Sequence, residues 1–228
     1  MFFALLMLAA TPLLAADQSD PRFDKWLEQS RKIFAANHLI AYIHLAHIDK
    51  KGPPFEFRYD RYPQGIERVQ KPDGYALAHQ KGKPWRVSDD WGETGDEVDP
   101  DVVKQTVAMI GYVDIPLANK HENRDKSQGA NVVRVVDQRK TKEGNEEIVF
   151  ESGREHQKAG RNYPKYTFFR YKDAQPDDVI LSNFSGPIYT TGGDRVQLDV
   201  RYDILIAVKT GKVNVVTPAP SASPDKRP

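Results

Sequence analysis

Apolar residues recur at spacings of three and four from Phe23 to Phe34, through Trp26, Leu27 and Ile33, with Ser30 in the same stripe. That spacing predicts an amphipathic helix with one core-facing side. Asp20 can cap it, and Pro21 suits its first position. The pattern then changes period. Leu39 to Ile48 is apolar and β-branched enough for a strand, which Lys50 to Pro54 breaks. Phe55, Phe57 and Tyr59 alternate with Glu56, Arg58 and Asp60, the period of two of a half-buried strand. Short strand segments follow at Ile66 to Gln70, Tyr75 to His79 and Trp85 to Val87. Pro63-Gln64-Gly65, Pro72-Asp73-Gly74 and Lys81-Gly82-Lys83 turn the chain between them.

A second helical stripe runs through Val102, Val103, Thr106, Val107, Ile110 and Val113. Asp99 is its cap, Pro100 its first residue and Pro116 its expected end. Asn119 to Gly129 is polar and reads as a loop. Strands resume at Asn131 to Thr141 and Glu147 to Glu155, flanking a Lys142-Glu143-Gly144-Asn145 hairpin turn. Tyr166 to Tyr171 and Val179 to Phe184 are further strands. The clearest alternation is Val196 to Val208: Val196, Leu198, Val200, Tyr202, Ile204, Ile206 and Val208 share one face, and Gln197, Asp199, Arg201 and Asp203 the other.

The order is helix, strands, helix, strands. Its expected fold is α+β: one large curved antiparallel sheet, a half-open barrel, with two or three helices covering the concave side. Each helix has one apolar stripe and needs one apolar sheet face. Two helices cannot hide both faces of about ten strands, so the sheet has to curl.

Composition narrows the class. The 228 residues carry 33 basic and 32 acidic side chains, a net charge of +1, without the basic excess of a nucleic-acid binder. Phe2 to Ala16 is uncharged and too short to span a bilayer, so it reads as the apolar region of a secretory signal cleaved near Ala16. There is no cysteine, which excludes disulfides, thiolate metal sites and cysteine acylation. Together these point to a bacterial periplasmic or secreted protein with no transmembrane segment after cleavage. The expected divisions are residues 1–16 as signal, 17–216 as one domain, and 217–228 as a disordered Pro/Ser-rich tail.

No motif for chemistry stands out. G-x-S-x-G, H-E-x-x-H and phosphate-binding loops are all missing, so no catalytic residue and no cofactor is expected. His44 and His47 would share a helix face, but on a strand they point apart. The acidic run from Asp89 to Asp101 could hold calcium through its oxygens, but it does not match the EF-hand loop, and helix capping by Asp99, the helix N-terminus beside Asp101 and loop solvation account for most of it. Strand aromatics either pack a core or line an apolar cavity, and sequence does not separate the two. Phe55, Phe57, Tyr59, Phe168, Leu198, Val200, Tyr202 and Ile204 are the candidate lining residues.

The layout resembles the LolA/LolB-like periplasmic superfamily. The shared plan is a signal, the helix from Phe23 to Phe34, then a meander through Phe55–Tyr59, Gly65–Pro72 and Gly74–Val87. The segment Arg68 to Gly92, RVQKPDGYALAHQKGKPWRVSDDWG, carries the likeness: strand, Pro-containing turn, strand, and a Lys/Gly turn before a Trp. The resemblance implies an open barrel closed by helices and a lipid or lipoprotein acyl chain as ligand. The expected function is non-enzymatic binding of a hydrophobic ligand or acylated protein inside the sheet. The alternative is an envelope scaffold whose core is filled. If export holds, Edman sequencing of the protein recovered from the periplasm should begin near Asp17; a full-length cytoplasmic product would refute it.

Overall fold

The computed structural model describes residues 19–88, 95–118, 131–154, 162–190, 192–207 and 213–216. Expectations for the leader, residues 89–94, the loop from 119 to 130 and the tail lie outside them. Helix α1 spans Arg22–Ala36 and α2 spans Pro100–Ala118. The strands are β1 (His38–His47), β2 (Phe55–Arg61), β3 (Ile66–Gln70), β4 (Ala76–Gln80), β5 (Arg86–Val87), β6 (Asn131–Lys140), β7 (Glu146–Arg154), β8 (Lys165–Arg170), β9 (Val179–Tyr189), β10 (Arg195–Ala207) and β11 (Val213–Val216).

The strands form one open, curved antiparallel sheet in the order β5-β4-β3-β2-β1-β10-β9-β8-β7-β6, with β11 added beside the end of β10. The architecture is α+β. Two five-stranded meanders, β1–β5 and β6–β10, meet at the centre where β1 pairs with β10. Because β5 and β6 are the opposite edges, the connection containing α2 has to travel from one edge of the sheet to the other.

Both helices pack on the same face. On β10, Val196, Leu198, Val200, Tyr202 and Ile204 are buried, as the alternation predicts. Leu198, Val200, Tyr202 and Ile204 align with Leu45, Ile43, Ala41 and Leu39 of β1, and of these Ile43 and Ala41 align in turn with Phe57 and Tyr59 of β2. Phe23, Trp26, Leu27, Ser30 and Phe34 of α1 are buried against this face. The ring of Phe23 meets Tyr166 at 4.8 Å and Phe150 at 5.6 Å, while Phe34 stacks on Tyr202 at 5.1 Å. Helix α1 thus lies across the strands, from β7 and β8 at its start to β10 at its end. Edge-to-face pairing of this kind adds to the burial energy of the rings.

Four local features differ from the sequence expectation. Helix α1 starts at Arg22, with Asp20 Oδ1 accepting the Arg22 N–H at 2.9 Å, so Pro21 precedes the helix. Helix α2 does not stop at Pro116 but includes it and runs to Ala118, since the buried Leu117 is held in the last turn. β9 continues five residues past Phe184 to Tyr189. There, Gly186 lets the chain pass Pro164, whose Cα lies 2.5 Å from where a Cβ would sit. The fourth is β11, which continues the sheet where β9 has left β10. The hairpin turn at Gly144 formed as expected, with φ +88° and Thr141 N–H donating to Asn145 O at 2.8 Å.

β9 pairs with β10 up to Asn183 and then diverges. A bulge at this point leaves Ser182 as the extra residue opposite Thr167–Phe168, its hydroxyl donating to Thr167 O at 3.0 Å. The Leu181 N–H, freed by the divergence, donates to Ser30 Oγ at 2.8 Å, and that hydroxyl donates to Trp26 O at 2.8 Å. One serine in the apolar stripe of α1 therefore satisfies a buried strand amide. Replacing it, Ser30→Ala, would strand the Leu181 N–H away from water. The expected loss is about 1–3 kcal/mol in a urea titration; an unchanged midpoint would show that the amide has another partner.

Candidate functional site

The eight candidate lining residues divide by position. Phe57, Tyr59, Phe168, Leu198, Val200, Tyr202 and Ile204 are buried in one continuous core on the helix-bearing face. Phe55 sits at the start of β2, 38% exposed. The part of this core beneath α1 is densely aromatic. The part beneath α2 is different. The Tyr202 hydroxyl donates to Val113 O at 2.8 Å, and the Arg31 guanidinium donates to Leu117 O, so α2 is tied down through its last two turns. Arg61 faces Asp114 at 3.8 Å. Tyr59 donates to Glu67 at 2.6 Å; burial first, and then this bond, raise its phenol.

The first half of α2 begins beside β5, where Val98 N–H donates to Trp85 O at 3.2 Å. From Pro100 to Tyr112 only Thr106 is buried. Val102, Val103, Met109 and Ile110 are half-buried, and Val107 is 53% exposed. Below lie the inward-facing Tyr59, Val69 and Leu77, with Trp85 beside them. Val102, Val103, Met109 and Ile110 thus pack against the core only in part, and the same inward face of the wing also carries Arg61, Glu67 and His79.

The other sheet face is polar and carries a groove of about 950 Å3. Tyr42, Arg58 and Arg201 lie side by side at its centre, with the Arg201 guanidinium 4.1 Å and the Arg58 guanidinium 5.9 Å from the Tyr42 ring centroid. Arg58 grips Asp60 with two bonds of 2.7 and 2.8 Å, and His38 lies 3.2 Å from the same carboxylate. Burial disfavours the charge on Asp60, but the bonds from His38 and Arg58 outweigh it and hold its pKa below the ordinary value. Asp203 is the counterpart across β1. Burial raises its pKa because Arg201, at 3.4 Å, is a poorer partner. Glu56 pairs with His44 at 2.9 Å on the exposed rim.

Of the eight expected lining residues, Phe57 and Val200 border this groove, at strand positions whose side chains point through to the helices. The polar lining was not singled out from sequence. Asp199 and Arg201 were legible as the polar face of a strand, but their alignment with Tyr42 and Arg58 was not. Among the described residues no three His, Asp or Glu side chains gather as a metal would require. His121, His156 and residues 89–94 of the acidic run lie outside them. No described helix is long and apolar enough to cross a membrane.

Neither a protein-family model nor a curated protein matches the chain. Among solved structures, it is similar to LprF from Mycobacterium bovis, at 13% identity and TM-score 0.42, over 81% of this chain and 93% of that one. It is also similar to a LolA superfamily protein from Nitrosomonas europaea, at 10% identity and TM-score 0.30, over 78% and 90%.

The two central carboxylates should respond oppositely to pH. Asp60 has a depressed pKa in the folded chain, so it stabilises above the unfolded carboxylate value near ~3.9 and loses that contribution as pH falls through its folded pKa. Asp60→Asn should cost about 1.5–3 kcal/mol near neutrality and flatten the acid limb of a Tm–pH profile. Asp203 is raised, so its favourable state is the protonated one. Asp203→Asn should leave acid stability unchanged and be neutral or stabilising above the folded pKa. Equal losses for both variants at pH 7 would contradict the assignment.

Proposed function

We propose that the chain is a non-enzymatic, exported protein of the bacterial cell envelope that carries a hydrophobic ligand, the acyl chain of a lipid or an acylated protein. The ligand lies on the helix-bearing face of the sheet, between the first half of α2 and the wing formed by β2 to β5. The observation that carries this reading is the uneven burial of α2. Its last two turns are fastened at Val113 and Leu117, while its earlier apolar residues are half-buried or exposed over Tyr59, Val69 and Leu77. A helix held at one end can lift at the other, admitting a chain with little loss of core contact.

Each buried methylene contributes about 0.8 kcal/mol, so a chain of about ten supplies micromolar-scale binding energy without a charged contact, before association costs. The candidate residues nearest this space are Phe57 and Tyr59. Phe168, Leu198, Val200, Tyr202 and Ile204 form the packed floor beside it. A second reading, an envelope scaffold with a filled core, is favoured by the dense aromatic packing beneath α1.

Native mass spectrometry of gently purified protein and displacement of a fluorescent fatty acid distinguish the two readings. The carrier reading expects a co-purifying lipid and saturable displacement at micromolar protein. Val103→Asp should abolish displacement while leaving the circular dichroism spectrum native-like. No lipid and no saturable signal would leave the scaffold reading.

A further inference from the structure

The inward face of the β2–β5 wing carries two different rows of register partners. Tyr59, Val69 and Leu77 form an apolar row. Two residues further along each strand, and so on the same face, Arg61 aligns with Glu67 and Glu67 with His79. This polar row runs beside the apolar one at about 6.8 Å. Its inner end abuts the buried Leu39 of β1. At its outer end the His79 ring stacks on Trp85 at 5.0 Å. On α2, Val103, Val107, Ile110 and Asp114 follow at spacings of four, three and four, which is one flank of the helix. That flank meets the polar row where Asp114 faces Arg61. An apolar strip with Val107 as its exposed member thus leads to a cluster that holds both signs of charge.

We propose, building on the acyl-carrier reading above, that this cluster receives the polar head of the carried lipid, and that the head is a zwitterion, a phosphate joined to a primary ammonium as in phosphatidylethanolamine. Three observations select that chemistry. First, the charged groups are loosely matched to one another and open to a ligand. The Arg61 guanidinium stands 3.8 Å from Asp114, beyond hydrogen-bond reach, and His79 Nδ1 stands 3.5 Å from Glu67. The close bond in the cluster is the one Tyr59 donates to Glu67 at 2.6 Å, and a carboxylate accepts further donors. Arg61, Glu67 and His79 are half-buried, and the Asp114 side chain is 56% exposed. Second, the charges that act on the Tyr59 hydroxyl are Glu67, Arg61 and Asp114, two carboxylates and one guanidinium around one point. An anionic head would meet both carboxylates, and a cationic head would meet Arg61. A zwitterion answers each sign: its phosphate accepts from Arg61 and its ammonium donates to Glu67 and Asp114. Arg61 and Glu67 are neighbours on adjacent strands about 4.8 Å apart, a span that a two-carbon link covers. Third, a quaternary ammonium has no N–H for the carboxylates and relies on an open aromatic face, whereas Trp85 is buried and stacked on His79. The primary amine is therefore favoured over choline.

The test is calorimetric titration of the full chain with three lysophospholipids that share one myristoyl chain and differ in the head: ethanolamine, choline and glycerol. The ethanolamine lipid should bind at least roughly tenfold tighter than the other two. Glu67→Gln, which keeps an acceptor for Tyr59, and Asp114→Asn, at an exposed position, should each weaken the ethanolamine lipid roughly fivefold and leave the glycerol lipid unchanged or tighter. Arg61→Gln should weaken all three, since each carries a phosphate. Lys32→Glu, on the exposed side of α1, should change nothing. Equal affinity for the three heads, preference for the glycerol or choline lipid, or equal weakening of the ethanolamine and glycerol lipids by Asp114→Asn would overturn the proposal while the carrier reading stands. Binding of none of the three would remove both.

Discussion

The antiparallel pairing of β1 with β10 is the constraint on which the rest of the structure depends. It joins the two meanders in the middle of the sheet, and its register runs unbroken from His38–Leu205 to His47–Val196. Because side chains alternate across a strand, a slip of one residue would exchange the faces. Asp199, Arg201 and Asp203 would then enter the aromatic core, and Val200, Tyr202 and Ile204 would enter water. The desolvation of three charges makes that alternative prohibitive. One register therefore fixes the packed face, the polar trough and the position of both helices.

The two faces illustrate two ways of burying polar atoms. On the helix side, single hydroxyls are matched one to one. Ser30 takes the Leu181 amide, Tyr202 takes a carbonyl of α2, and Tyr59 takes Glu67. Each bond also locates an element, since Ser30 marks where β9 parts from β10 and Tyr202 marks where α2 is fastened. On the other side, charges are grouped by strand register. Asp60 and Asp203 flank Ile40, and Arg58 and Arg201 flank Tyr42. The near symmetry of this arrangement is broken by geometry. Arg58 holds its aspartate with two short bonds, whereas Arg201 leans over the Tyr42 ring and holds its own loosely.

Both helices, ten of the strands and the turn at Gly144 could be read from the chain, because each is a local periodicity or a local turn preference. The polar face of β10 was equally plain in Gln197, Asp199, Arg201 and Asp203. The candidate lining residues were chosen as apolar members of strands, and seven of the eight lie in the core. Local pattern identifies which residues leave water. It does not report whether the space they enter is full, as it is under α1, or loosely covered, as it is under the first half of α2.

By itself the sequence determined the two amphipathic helices, the alternating faces of β2 and β10, and the near-neutral, cysteine-free character of the chain. Only the tertiary structure decided that Tyr42 lies between Arg58 and Arg201, that Leu181 needs Ser30, that β9 outlasts its expected end, and that β11 joins the sheet. Each of these depends on which strand neighbours which, and in what register. The alternation of a single strand is satisfied by any even-numbered shift against its neighbour. Only the combined packing of all the strands under α1 and α2 selects one shift.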